Sequence, residues 1–288
     1  MTNGRGESVS DLVATALEVD VVASRSVSGG DFASAHRLEL ADGRVVFAKT
    51  HADPPPNFFS TEAAGLQWLR EAAQSDVLVP EVLHVSDAPP LLVLPWIDEG
   101  SRPDEATFGR GLAALHASGF ETFGRPDGQT TGSLALPNDP CASWAEFLAE
   151  RRLLPLARLA SDRHSLSANT VRRIEALASD IDRIAPPTEP PSLLHGDLWA
   201  GNRLVDSDRQ SWLIDPACFG GHREFDLAMM RLFGGYGEAA FDAYANAFPL
   251  VDGWRDRIAL HQLPPLIVHA IKFGGGYPEA VARCLDQY

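Results

Sequence analysis

The stretch from Leu193 to Asp215, L-L-H-G-D-L-W-A-G-N-R-L-V-D-S-D-R-Q-S-W-L-I-D, limits what this chain can fold into more than any other segment. A short apolar run, Ser192 to Leu194, feeds a polar loop from His195 to Asn202. Two further short apolar runs, Arg203 to Val205 and Trp212 to Ile214, end on Asp215, so the order is strand, loop, hairpin, acid. Asp197, Asn202 and Asp215 stand at the spacing H-x-D-x-x-x-x-N followed by a later acid, which serves phosphoryl transfer. The residue types suit that chemistry. A carboxylate accepts the proton of an attacking hydroxyl, while an amide oxygen and a second carboxylate hold Mg²⁺ against a triphosphate. A turn rich in Asp, Gly and Asn could be mere loop punctuation. Agreement of three functional positions with their strand contexts favours the chemical reading.

A net charge of −15 and a pI near 4.9 argue against a nucleic-acid partner or an anionic membrane surface, which demand a basic face. A polyphosphate site here must be made positive locally, by metal ions, a lysine and backbone N–H groups. With 288 residues, 45% apolar and 22% charged, the chain is an ordinary globular one of one large or two small domains. Met1 to Glu7 is polar and no apolar run nears membrane-spanning length, so a cytoplasmic protein is expected. The three cysteines, Cys141, Cys218 and Cys284, are far apart and support neither a disulfide framework nor a zinc site. Cys218, just past Asp215, is either a reactive thiol or a small buried hydrophobe. The nine histidines show no H-x-x-x-H pair on an evident helix, which leaves metal binding to oxygen ligands.

Ahead of the central stretch, Ser10 to Val19 predicts a helix with a capping serine. Val21 to Val27, Ala35 to Leu40 and Val45 to Lys49 read as strands, with Asp42-Gly43 as a hairpin turn. The first two flank Ser28-Gly29-Gly30-Asp31. There Gly29 and Gly30 either lay backbone N–H groups over phosphates or make an ordinary turn. Lys49 ends V-F-A-K, which is similar to the kinase V-A-I-K, and a lysine there reaches the α and β phosphates. Phe58 to Ala73 reads as a helix, and Glu62 in its first turns is expected to pair with Lys49. Pro80 to Val85 and Pro90 to Leu94 complete a five-stranded lobe. Pro95-Trp96-Ile97-Asp98 then connects to a second lobe, and the Pro95 carbonyl and Ile97 N–H are expected to hold adenine between the lobes.

Glu105 to Ala117 reads as a helix, and 119–140 as a long surface excursion. Trp144 to Leu159 and Leu166 to Ile184 read as amphipathic helices. Beyond Asp215, helices run to the end with breaks at Gly234-Gly235 and Gly274-Gly275-Gly276. Asp226 is expected to hydrogen-bond the catalytic-loop backbone, with Glu224 and His195 shaping that loop. Trp199 either stacks on substrate or packs the loop, and His222 and Arg223 either face substrate or lie in a solvated loop.

H-G-D-L-W-A-G-N at His195 to Asn202, I-D-P-A at Ile214 to Ala217 and G-H-R-E-F-D-L-A-M at Gly221 to Met229 resemble the fructosamine kinase (ketosamine-3-kinase) family. F-x-x-E-A-x-G-L at Phe59 to Leu66, L-A-x-L-H at Leu112 to His116 and F-G-G-G-Y at Phe273 to Tyr277 extend the resemblance over nearly the whole chain. It implies an α+β, protein-kinase-like, two-lobed fold: a nucleotide-binding lobe over 1–97, an antiparallel sheet with a helix, and a mainly helical catalytic lobe over 98–288. It also implies ATP-dependent phosphorylation of a ketosamine at the sugar 3-hydroxyl, which frees the amine and so repairs glycation. The substrate would be a small ketosamine or a glycated protein lysine, and the cofactors ATP and Mg²⁺. Carried over by motif, Asp197 would be the base, Asn202 and Asp215 the metal ligands, Lys49 the phosphate contact and Glu62 its partner. Trp199 and His222 stay candidate substrate contacts on the residue reading alone. An aminoglycoside- or choline-type kinase is the alternative, because fold does not fix substrate.

Overall fold

The computed structural model describes residues 8–27, 33–100 and 102–288. The expected phosphate turn with Gly29 and Gly30 lies outside the described residues. The chain opens with α1 (Val9–Leu17), capped by Ser8 rather than by Ser10. Asp11, three residues after Ser8, closes a reciprocal capping box: the Asp11 N–H donates to Ser8 Oγ at 3.2 Å and the Ser8 N–H to Asp11 Oδ2 at 3.1 Å. Three strands follow, β1 (Val21–Val27), β2 (Ser34–Leu40) and β3 (Val45–Thr50), then α2 (Phe58–Ala72), β4 (His84–Asp87) and β5 (Pro90–Pro95). The five strands form one antiparallel sheet in the order β1-β2-β3-β5-β4.

Alternation along β3 sorts this sheet into two faces. Val46 and Ala48 join Leu38, Leu40, Leu91 and Val93 in a small core closed by Val13 of α1. Phe47 and Lys49 point the other way and line the interlobe cleft. The fourth strand begins at His84, not at Pro80 as expected. Leu78, just before it, is claimed by the other lobe, donating its N–H to Ser211 O at 2.8 Å and accepting from the Leu213 N–H at 2.9 Å. Pro80, lacking an N–H, cannot extend the ladder.

The second lobe begins with α3 (Glu105–Ala117), α4 (Trp144–Phe147), a wide π-turn over Leu148–Leu153, α5 (Leu154–Asp162), α6 (Ala168–Ser179) and α7 (Ile181–Ile184). The helix expected from Trp144 to Leu159 is present and runs on to Asp162, with its middle wound as a π-helix. In that π-helical stretch the buried Arg152 lies 4.5 Å from the Phe147 and Phe219 rings and donates to Pro137 O and Asn138 Oδ1, at 2.7 and 2.6 Å. Nor is 119–140 merely a surface excursion. Arg125, fully buried, stacks 4.3 Å from the Trp68 ring and donates to Cys218 O at 2.8 Å. Two short strand pairs come next: β6 (Ser192–Leu194) pairs with β9 (Phe219–Gly221), and between them β7 (Arg203–Val205) pairs with β8 (Ser211–Leu213). Four helices end the chain: α8 (Glu224–Leu232), α9 (Glu238–Ala247), α10 (Ile258–Phe273) and α11 (Tyr277–Leu285). One continuous core runs from Leu66 and Leu69 of α2 through Leu112 and Leu227 to Leu285, so the lobes share a buried hinge region.

Candidate active site

The catalytic loop is held from behind. The β6–β9 pairing delivers His195 to the start of the loop, where its ring Nε2 donates to Ile214 O at 2.9 Å and its Nδ1 accepts the Asp197 N–H at 3.2 Å. Those two bonds require the neutral ring, and burial indeed lowers the pKa of His195. Asp226, in the first turn of α8 and fully buried, accepts the His195 N–H at 2.7 Å and the Gly196 N–H at 2.9 Å. His116 contacts the same carboxylate at 3.3 Å and Tyr244 Oη at 2.8 Å. Asp226 and His195 thus fix the loop backbone, as the sequence suggested.

Asp197 and Asn202 meet across this loop. The Asn202 amide Nδ2 donates to Asp197 O at 2.8 Å and to Asp197 Oδ2 at 3.0 Å. Its donor end is committed to Asp197, which leaves Oδ1 as the end able to face a cation. Burial pushes the Asp197 carboxyl up to about 7, against the Asn202 hydrogen bond that favours the anion.

On the opposite wall, Lys49 Nζ lies 2.8 Å from Glu62 Oε1 and 2.5 Å from Asp215 Oδ1. Burial alone would lower the Lys49 pKa, but the two carboxylates outweigh it and hold the ammonium form above its ordinary value. The bridge ties three elements together: β3, α2 and the segment after β8. Gly65 makes the approach of α2 possible, because a Cβ there would stand 2.7 Å from Cys218 Cβ. Asp215 takes a left-handed backbone, φ +55°, an uncommon conformation for a residue with a side chain.

These groups line one cleft of about 640 Å³. Lys49, Glu62, Asp197, Asn202 and Asp215 all contribute, as do Pro95 and Ile97 of the interlobe connector and Trp199 of the loop. Val27, Phe47, Leu94, Leu204 and Ile214 make the connector end apolar. Asn202 Oδ1 and the Asp215 oxygen not engaged by Lys49 offer two hard oxygen donors on one side of Asp197. That suits Mg²⁺, which takes one or two protein ligands and fills the rest from phosphates and water. Trp199 is 40% exposed and edge-on to Phe233, 6.3 Å between ring centres, while its flat side covers Gly201, where a Cβ would lie 2.1 Å from Trp199 Cη2.

His222 is not among the residues lining the cleft. It is buried, with Nε2 at 3.1 Å from Glu189 Oε1 and Nδ1 accepting the Glu224 N–H at 3.3 Å, so it shapes the protein behind the loop and does not face a substrate. Arg223 is buried too, paired with Glu189 at 3.0 Å. His222, Glu224 and His261 come close enough to suggest a metal centre, but their hydrogen bonds oppose it. His261 Nε2 accepts the Trp144 indole N–H at 3.1 Å, which puts the ring proton on Nδ1, and Glu224 is held by Arg257 at 2.6 and 2.8 Å. Cys218 is buried and burial raises its pKa, so it packs as a hydrophobe and is no nucleophile. Two parts of the cleft escaped the sequence reading: the loop 130–133 and Lys272 of α10. No local pattern marks the loop, whereas the scarcity of lysine could have marked Lys272.

Known proteins match this chain over most of its length. The chloroplastic protein-ribulosamine 3-kinase of Arabidopsis thaliana is 33% identical over 91% of this chain and 81% of its own. A solved structure of a candidate fructosamine-3-kinase from Thermobifida fusca YX-ER1 is 38% identical, with a TM-score of 0.90 over 98% of both chains. More distant structures share the fold alone, such as the macrolide 2'-phosphotransferase of Brachybacterium faecium, 18% identical with a TM-score of 0.61 over 95% of each chain. The two-lobed α+β fold is therefore that of the kinase-like phosphotransferases. The family model for fructosamine kinase matches residues 7–288, and the chain belongs to that family.

Proposed function

We propose that this protein is an ATP-dependent ketosamine 3-kinase, transferring the γ-phosphoryl group to the sugar 3-hydroxyl of an amine-linked ketose. The reading is carried by the convergence of Asp197, Asn202, Asp215 and the Lys49–Glu62 pair on one cleft. Adenine packs in the apolar end among Phe47, Leu94 and Leu204, against the backbone of Pro95 and Ile97. Lys49 meets the α and β phosphates, and Glu62 keeps its ammonium group in position. Asn202 and Asp215 would hold Mg²⁺, which when bound would neutralise the triphosphate. Asp197 accepts the proton of the attacking hydroxyl. Its backbone cannot drift, because Asp226 pins the two preceding N–H groups. Trp199 offers an exposed ring beside Asp197 for the sugar to stack on. The ketosamine is a free metabolite or a glycated protein lysine, met in the cytoplasm. Among the described residues no helix is long and apolar enough to cross a membrane.

The test is incubation with Mg-ATP and ketosamines built on five- and six-carbon ketoses, followed by NMR location of the new phosphate. Phosphate on the 3-oxygen, with release of the amine afterwards, is the expected result. Phosphorylation of an aminoglycoside or choline instead, with every ketosamine untouched, would refute the proposal.

A further inference from the structure

Of 24 basic residues in this chain only two are lysines, Lys49 and Lys272; the rest are arginines. Both lysines line the same cleft, and they reach it from opposite lobes. An exposed cation can be either residue, and this sequence answers that choice with arginine everywhere else. Lysine differs in being a compact point charge with three donors, where arginine presents a broad planar fork. A chain that otherwise uses arginine retains lysine where a small ammonium group has a task. For Lys49 the task is visible in its two carboxylate partners.

Lys272 stands on the last turn of α10, a helix anchored by the buried Leu263, Leu266, Ile267 and Ala270. Its Nζ lies 5.2 Å from the centre of the Phe273 ring, and it lines the cleft together with Asp197 and Trp199. Four carboxylates line the cleft: Glu62, Glu99, Asp197 and Asp215. Lys49 is committed to two of them, and Lys272 is the other cationic side chain among the described residues that line the cleft.

We propose that Lys272 is a catalytic residue of the acceptor side: its ammonium group binds the acceptor oxygens beside Asp197 and neutralises the phosphoryl group as it arrives. The proposal rests on the ketosamine kinase reading above. In the step, the acceptor O–H proton passes to the Asp197 carboxylate and the oxygen forms a bond to the γ-phosphorus. The bond from that phosphorus to the bridging oxygen breaks, and its electron pair leaves with ADP. Lys272 keeps its three protons throughout and supplies charge at a fixed position.

The test compares wild type with Lys272→Met and Lys272→Arg. Lys272→Met is expected to lower kcat by about 100-fold or more, with KM for Mg-ATP within about threefold of wild type and an unchanged Tm. By calorimetry it should bind the ketosamine 3-phosphate product at least about tenfold more weakly while binding ADP normally. Lys272→Arg, charged but broader, should fall between the two. Lys272→Gln, which keeps a polar end at this half-buried site, repeats the measurements on a second background. A kcat within about threefold of wild type in Lys272→Met, a defect confined to nucleotide binding, or full activity in Lys272→Arg would each overturn the assignment. Wild type inactive on every ketosamine would defeat the kinase reading and this inference with it. An active wild type beside an equally active Lys272→Met defeats this inference alone.

Discussion

Asp197 has to be an anion to accept a proton, and its surroundings make that state conditional on pH. Burial holds its carboxyl near 7, and only the deprotonated form, present above that value, can act as the base. The expected consequence is a kcat/KM for the acceptor that falls as pH is lowered through about 7 and levels off above it. A profile flat across the neutral range would remove Asp197 from the role. Asp197→Asn keeps the volume and loses the proton acceptor, so turnover should fall by at least about 100-fold with an unchanged thermal midpoint. At this scale the sequence was informative where spacing is local. Asp197, Asn202 and Asp215 fall within one strand-loop-hairpin unit, so their order along the chain foretold their meeting. His222 shows the limit: a histidine beside the same motif turned out to face Glu189 and the buried His261, which come from distant segments.

Helix α2 is the element on which the donor side depends. Its Glu62 reaches Lys49 only because Gly65, one turn on, lets the helix lie against the segment after Asp215. In Gly65→Ala the new methyl group would meet Cys218 Cβ at 2.7 Å, and neither backbone can yield without moving a catalytic side chain. The expected cost is about 1–3 kcal/mol in denaturant unfolding, with a lowered kcat as the Lys49–Glu62 pair is displaced. Wild-type values for both would show that the contact is slack. Periodicity located β2, β3, α2 and α3 because each buries residues along one face, while β1, an edge strand with no buried residue, was legible from its valines and the turn that follows. It misplaced the start of β4 and did not foresee the π-helical stretch after α4. Leu78 answers to the β7–β8 hairpin of the other lobe, and Arg152 turns inward to reach Asn138, which no local window contains.

Across the molecule, acid should act through the histidines packed behind the catalytic loop. Burial holds His222 to about 2 and His261 to about 3, so both stay neutral in the fold, while an unfolded chain protonates them near pH 6.5. Between the folded and unfolded values the unfolded state binds more protons. Stability from this pair is therefore complete above about pH 6.5 and is lost progressively as pH falls below it. Glu224, raised by burial against the pull of Arg257, works in the opposite direction at lower pH. The comparison must be made by difference: the unfolding free energy of His261→Asn should decline less steeply from neutral to mildly acidic pH than that of wild type. Parallel slopes would mean the pair is not what titrates. The sequence by itself determined the reaction chemistry and the two-lobed α+β plan, because a catalytic loop and the periodicity of strands and helices are written in neighbouring residues. Only the tertiary structure decided which cations and histidines meet, since Lys49 with Asp215 and His222 with His261 are brought together, and Lys272 is carried to the cleft of Asp197, by packing between segments far apart in the chain.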